Sequence, residues 1–522
     1  MSLSGNWNYP TAIKFGAGRI KELPDVCRTA GIKRPLLVTD SGLARLPMVA
    51  EAVAANAAAG LPTAVFSDVK PNPIERNVAD GVQIYRAGGH DGVIAFGGGS
   101  ALDAGKAIAF LSGQSRPIWD FEDVGDNWTR ADPAGIAPTV AVPTTAGTGS
   151  EVGRVSVVTD EATHTKRLIF HPRIMPVAVI ADPELTVGVP PAITAWTGFD
   201  ALAHCLEAYC APGFHPMADG IALEGLRLIK DALPLAFQDG RNLKARAHMM
   251  AAATMGAVAF QKGLGAIHSL AHPIGAHFDA HHGLLNAILM PYVLAHNAPA
   301  IEERMAHLAV VLGLPGKGTD AVMAWVLALR AELQIPPTLA GIVEESFANE
   351  AARAGAVDPT APTNAVPLDE AANLLDVGGV RGVRVDEGED ERDAARRGLF
   401  EDQVADGADD PQEGPGAELE DRVGAADADV VVEEFVAGQA RQLARHRQLA
   451  DARRAVDEDE VHSLCPCVPA RGGRRKTITS AAHRPAGSQT QSSSLLMTAS
   501  PHSLKNAPTP MGETSTGRKG KK

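Results

Sequence analysis

Through the first half of the chain, short apolar runs alternate with amphipathic stretches and turn signals. Residues 35–40 (PLLVTD) read as a buried strand ending in a carboxylate, Asp40, followed by a Ser-Gly turn and an Ala-rich helix over 48–59. Residues 64–66 give a second strand, which leads into the turn Lys70-Pro71-Asn72-Pro73. A third strand over 92–96 runs into Gly97-Gly98-Gly99-Ser100 and a helix over 101–111. A fourth, over 140–142, empties into a Thr/Gly-rich segment at 143–150. This order of strands, helices and glycine turn predicts a parallel sheet with crossover helices. From about residue 191 the strand signals stop and long Ala/Leu/Met helical patterns take over. The expected organisation is an α/β domain over 1–190 and an all-α domain over 191–375.

Beyond residue 375 the pattern is lost. Residues 376–460 hold 25 Asp and Glu against 11 Arg and no Lys, and residues 461–522 hold 10 Lys and Arg against one Glu. Only Phe400 and Phe435 supply aromatic surface there. Such a segment cannot bury enough apolar area to offset chain entropy, so 376–522 is expected to be a disordered tail. Its Arg/Ala/Gly/Asp/Val bias is also what an out-of-frame extension of a GC-rich reading frame would give.

Composition narrows the function classes. The whole chain has 522 residues and a net charge of −14, which argues against general nucleic-acid affinity. No apolar run approaches the roughly 20 residues of a membrane helix, and residues 1–10 lack the pattern of a secretory signal. Five scattered cysteines do not make a disulfide framework. The expectation is a cytoplasmic protein with a small-molecule substrate and neither nucleic acid nor membrane as partner.

Two clusters carry candidate chemistry. Glycines at the end of a strand let backbone approach a ligand without Cβ interference, and the helix that follows turns free N–H groups toward an anion such as a pyrophosphate. Asp40, closing an earlier strand, is placed to accept the hydroxyls of an adenosine ribose, or to cap a turn. In the helical half, Asp200 and His204 stand four apart, as do His268 and His272, and His281-His282-Gly283 follows. Spacing of i, i+4 sets both side chains on one helix face, as a divalent ion requires. Five of the 17 histidines fall between 268 and 282 in an otherwise apolar segment, where burying imidazoles without a purpose is costly.

The strings GGGSALDAGKAIA, AVPTTAGTGSEV, GFDALAHCLEAY and GLGAIHSLAHPIGAHFDAHHG resemble, in order and spacing, the signatures of the iron-containing (group III) alcohol dehydrogenase family, over residues 1 to about 375. The resemblance implies an α/β dinucleotide-binding domain and an all-α, metal-binding domain, with NAD and one divalent metal, Fe(II) before Zn(II), in a cleft between the two. It implies the metal ligands Asp200, His204, His268 and His282, with His272 lining the cleft as a candidate proton relay and not as a ligand. It further implies cofactor contacts from Gly98, Gly99, Ser100 and Asp103, from Thr144, Thr145 and Thr148, and from Lys166 and Asn72. Asp40 falls where an acid favours NAD over NADP. A homo-oligomer is expected.

The implied reaction is hydride transfer between NAD and a short primary alcohol or an ω-hydroxy acid such as 4-hydroxybutyrate. Lys262, six residues before His268, is a candidate partner for the substrate carboxylate, with snorkelling to solvent as the alternative. Two rivals stand beside this reading. One is a redox-neutral, NAD- and metal-dependent lyase or cyclase of the same dehydroquinate synthase-like fold. The other is an inactive remnant, because the family's last helix breaks off after Leu374-Leu375.

Overall fold

The computed structural model describes residues 11–368; the expected tail over 376–522 lies outside them. The first part of the chain runs β1 (Ala12–Phe15), α1 (Leu23–Thr29), β2 (Pro35–Val38), α2 (Pro47–Ala58), β3 (Ala64–Phe66), α3 (Glu75–Ala87), β4 (Gly92–Gly97), α4 (Gly99–Leu111), β5 (Thr139–Pro143), β6 (Val155–Asp160), β7 (Thr165–Phe170) and β8 (Ala178–Ala181). Six of these strands form one sheet in the order β1-β8-β5-β4-β2-β3, with every pair parallel. Every residue of β2, β4 and β5 is buried, as a sheet covered on both faces requires. The four strands read from the sequence are all in this sheet. The edge strand β1, its neighbour β8 and the antiparallel pair β6–β7, which forms a separate ribbon, are additions from the structure.

The second part is helical: α5 (Pro191–Cys210), α6 (Pro216–Gln238), α7 (Leu243–Ala259), α8 (Ala266–Phe278), α9 (His282–Leu312), α10 (Gly318–Glu332) and α11 (Ala348–Ala356). Their apolar stripes close one large core, which holds Phe199, Leu202, Leu206, Leu226, Leu233, Ile274, Ile288 and Met305. Helix α9 is long and apolar enough to cross a membrane, but two-thirds of its apolar window is buried in this core. A smaller cluster joins the two parts, setting Ala95, Ala141 and Val179 of the sheet against Met250, Ala257 and Val258 of α7. The carboxyl ends of the strands therefore face the helical part, the edge at which parallel sheets place their ligands.

The last described segment is tied down. Thr363 Oγ1 donates to the Leu264 carbonyl (2.7 Å), and Asn364 Oδ1 accepts from the Ala266 N–H (3.1 Å) and from Asn297 (2.9 Å). Residues 358–364 thus dock on the start of α8 whatever follows them.

Candidate active site

Helix α5 buries nearly its whole second half, and Asp200 and His204 share one of its faces. Helix α8 supplies His268 and His272, and α9 opens on His282. Three imidazole nitrogens converge on one carboxylate oxygen: Asp200 Oδ1 lies 3.9 Å from His204 Nε2, 3.8 Å from His268 Nε2 and 3.6 Å from His282 Nε2. The ligand atoms of Asp200, His204 and His268 all fall within 4.8 Å of one another, with His282 just outside that tighter group. Gly283 makes the approach of α9 possible. A Cβ there would sit 2.1 Å from the Trp196 carbonyl oxygen and 3.2 Å from Asp200 Cβ, so any side chain would push His282 away.

Two of the three ligand imidazoles are held neutral, as cation binding requires. Burial pushes the His204 imidazole down to about 4, and burial with nearby Lys166 and the other rings holds His282 well below its ordinary value. Both therefore keep a free lone pair at neutral pH. His268 is pushed down by burial too, but Glu207 and Asp200 outweigh that and raise it. Its Nδ1 lies 2.5 Å from Glu207 Oε2, and Glu207 Oε1 accepts the Ile267 N–H at 2.7 Å. A carboxylate only accepts, so on the neutral ring the His268 proton sits on Nδ1 and Nε2 carries the lone pair toward Asp200, the carboxylate–histidine arrangement of metal sites, and a cation there would compete with the second proton. Asn286, one turn after His282, donates from Nδ2 to Asp200 Oδ1 (2.8 Å), while its buried Oδ1 has no partner among the described residues. One carboxylate and three imidazoles fit a borderline divalent cation such as Fe(II) or Zn(II).

His272 belongs to the same group of rings, stacked 5.3 Å from His282, but pairs outward: its Nδ1 donates to Asp358 Oδ2 at 2.9 Å. Burial works to raise Asp358, and the charge and hydrogen bond of His272, with those of Thr360, win and lower it.

These groups open into a cleft of about 440 Å³ whose other wall is the glycine turn. Gly98, Gly99, Ser100, Asp103, Thr145, Thr148, Asn72 and Lys166 all line it. Gly99 is required by close approach, since a Cβ there would lie 2.5 Å from Thr148 Cγ2. Asp103 also works as a bracket. It accepts from Ser150 Oγ (2.5 Å) and the Val157 N–H (3.2 Å), pinning β6 over α4. Asn72 reaches across the cleft and donates to Asp279 Oδ1 at 2.6 Å. Burial pushes the Lys166 ammonium down to about 8, against the fields of Asp200, Asp103, Asp279 and Asp358.

Three sequence candidates lie elsewhere. Asp40 caps its turn, accepting the N–H groups of Gly42 and Leu43 at 2.9 Å each, next to the glycine turn but not in the cleft lining. Thr144 is buried and its N–H is bonded to the Gly97 carbonyl. Lys262 does not face the cleft. Its Nζ sits 2.5 Å from Asp219 Oδ1 and 3.2 Å from the Tyr209 carbonyl, with 2% of the side chain exposed, so neither a substrate carboxylate nor solvent is its partner. Glu207, Asn286, Asp279 and Asp358 were not singled out in the sequence. Glu207 and Asn286 had a visible signal: they stand seven after Asp200 and four after His282 on the same helices.

Comparison with known proteins agrees with this geometry. Residues 10–183 match the family model "Iron-containing alcohol dehydrogenase", and residues 194–372 match "Fe-containing alcohol dehydrogenase family, C-terminal". The chain is 41% identical to 4-hydroxybutyrate dehydrogenase of Cupriavidus necator over 353 residues, which is 65% of this chain and 90% of the relative. It is 37% identical to NAD-dependent methanol dehydrogenase of Bacillus methanolicus, over 61% of this chain and 83% of that one. A solved structure of 1,3-propanediol oxidoreductase superposes with a TM-score of 0.68 at 34% identity, covering 71% of this chain and 98% of the other. The chain belongs to the iron-containing alcohol dehydrogenase family and is an oxidoreductase acting on CH–OH groups.

Proposed function

We propose that the protein is an NAD- and metal-dependent dehydrogenase of short primary alcohols or ω-hydroxy acids of the 4-hydroxybutyrate class, working in either direction. The observation that carries this reading is the convergence of three imidazole Nε2 atoms on Asp200 Oδ1 in a cleft whose opposite wall is the glycine turn. Asp200, His204, His268 and His282 would hold the cation. When bound, a divalent cation supplies the Lewis acidity that makes an alcohol acidic near neutral pH, and NAD supplies the hydride acceptor. Fe(II) is our first choice and Zn(II) the second.

The chain's own residues do the rest. The N–H groups of Gly98, Gly99 and Ser100, at the start of α4, face a pyrophosphate, with Thr145 and Thr148 alongside. Asp103 keeps β6 against that turn, and Lys166 and Asn72 line the side where a ribose would lie. Asp40, beside the turn, is the candidate to favour NAD over NADP, and Thr144 to support the turn through its backbone. Glu207 holds the proton of the neutral His268 ring on Nδ1, so Nε2 is the ligand atom. His272, its Nδ1 proton held by Asp358, keeps Nε2 ready to take a proton from the substrate side and pass it to solvent. The test is NADH absorbance with the full-length chain, NAD and a panel of alcohols, with Fe(II) or Zn(II) added in turn. Turnover with added metal supports the reading, and redox-neutral turnover with tightly held NAD would replace it.

A further inference from the structure

Three Lys and Arg side chains line the cleft among the described residues: Lys106, Lys166 and Arg154. Lys106 is committed to the fold. Its Nζ is 3.0 Å from Asp103 Oδ1 and 3.0 Å from the Ser150 carbonyl, and it also donates to the Val155 carbonyl. Lys166 stands in the field of four carboxylates, so a substrate carboxylate beside it would meet their repulsion.

Arg154 has neither kind of neighbour. Among the described residues it forms no ion pair and donates no side-chain hydrogen bond; its guanidinium carbon lies 5.7 Å from the centroid of the Phe170 ring. Trp128 meets that ring edge-on at 6.1 Å, so the guanidinium lies beside an aromatic pair.

Its place along the β6–β7 ribbon separates it from the glycine turn. The register pairs Val155 with Phe170, Val157 with Leu168 and Thr159 with Lys166. Arg154 precedes Val155, so it lies past the Val155–Phe170 pair, at the opposite end of the ribbon from the Thr159–Lys166 pair. The glycine turn belongs to the Lys166 end: Ser100 Oγ donates to the Pro71 carbonyl, and Ile74 bridges to Thr159. Apolar side chains line the cleft along the ribbon beyond Arg154. Val155, Val157 and Leu168 line it, as does Phe260, whose ring lies 5.1 Å from that of His204. A guanidinium free of anions, lining the same cleft as the histidine cluster, is built to take a planar anion through paired N–H donors.

We propose that Arg154 binds the carboxylate of an ω-hydroxy acid whose hydroxyl end lies at the Asp200 cluster. This rests on the dehydrogenase reading above and replaces Lys262, whose charge Asp219 already takes.

The test compares wild type, Arg154→Leu and Arg154→Lys in the full-length, metal-loaded chain with NAD, on 4-hydroxybutyrate and on 1-butanol. For Arg154→Leu, kcat/KM on 4-hydroxybutyrate falls about 30- to 100-fold, mainly through KM. On 1-butanol it changes less than about 3-fold, and the KM for NAD stays as it was. Arg154→Lys recovers part of the loss, because a point charge replaces the fork. Butyrate binding, read by calorimetry with NAD present, weakens in parallel and needs no turnover. Equal losses on both substrates, a loss confined to the KM for NAD, unchanged butyrate binding, or a wild type that oxidises 1-butanol and ignores 4-hydroxybutyrate would each overturn the role of Arg154. Wild-type turnover of neither alcohol would instead sink the dehydrogenase reading. A Tm for Arg154→Leu within a few degrees of wild type excludes misfolding as the cause.

Discussion

The two walls of the cleft do their work by different means. The helical wall acts through side chains: α5, α8 and α9 each place a residue on a shared face, and the donors meet because glycine at 283 lets two helices touch. The α/β wall acts through backbone: a strand ends, glycines admit close approach, and a helix begins with unpaired N–H groups. The first wall should therefore be sensitive to what a side chain is, and the second to how much room it takes.

Predictions that break or sharpen this contrast follow from strongest to weakest. Asp200→Ala or His268→Ala removes a donor atom; bound metal measured by atomic absorption should be lost and turnover should fall by about 1,000-fold or more. Full activity in a metal-depleted preparation of either would end the contrast. Glu207→Gln keeps the shape but removes the charge that fixes the His268 tautomer; metal affinity should drop about 10- to 100-fold in a chelator competition, with the fold intact by circular dichroism. On the other wall, Gly99→Val keeps all the metal chemistry. Its side chain would collide with Thr148, so the KM for NAD should rise about 10-fold while metal content stays at the wild-type level. Asp358→Asn should have the smallest effect. It loosens His272 and lowers kcat about 5- to 10-fold, without changing metal content or the KM for NAD.

How much of this was legible depended on the range of the signal. Strands β2, β4 and β5 could be read because each is a continuous apolar run closed by a turn, the mark of a strand buried on both faces. The β6–β7 ribbon was not, since β7 holds Thr165, Lys166 and Arg167 and only Ile169 is fully buried, so no clean alternation shows. In the site, the i, i+4 spacings of Asp200 with His204 and of His268 with His272 were visible because a helix turns sequence distance into a shared face. Asp358 was invisible for the opposite reason: it meets His272 across 86 residues, from a loop whose path only the docking of 358–364 on α8 decides. Lys262 was misread because Asp219, the charge that claims it, sits on another helix.

The hydrogen bond from Asn72 to Asp279 spans the mouth between the walls. It joins a loop ahead of α3 to the end of α8, the same helix that carries His268 and His272. One amide–carboxylate contact therefore couples the two walls directly, and a displacement of that loop would be felt at the end of the helix that bears two of the imidazoles.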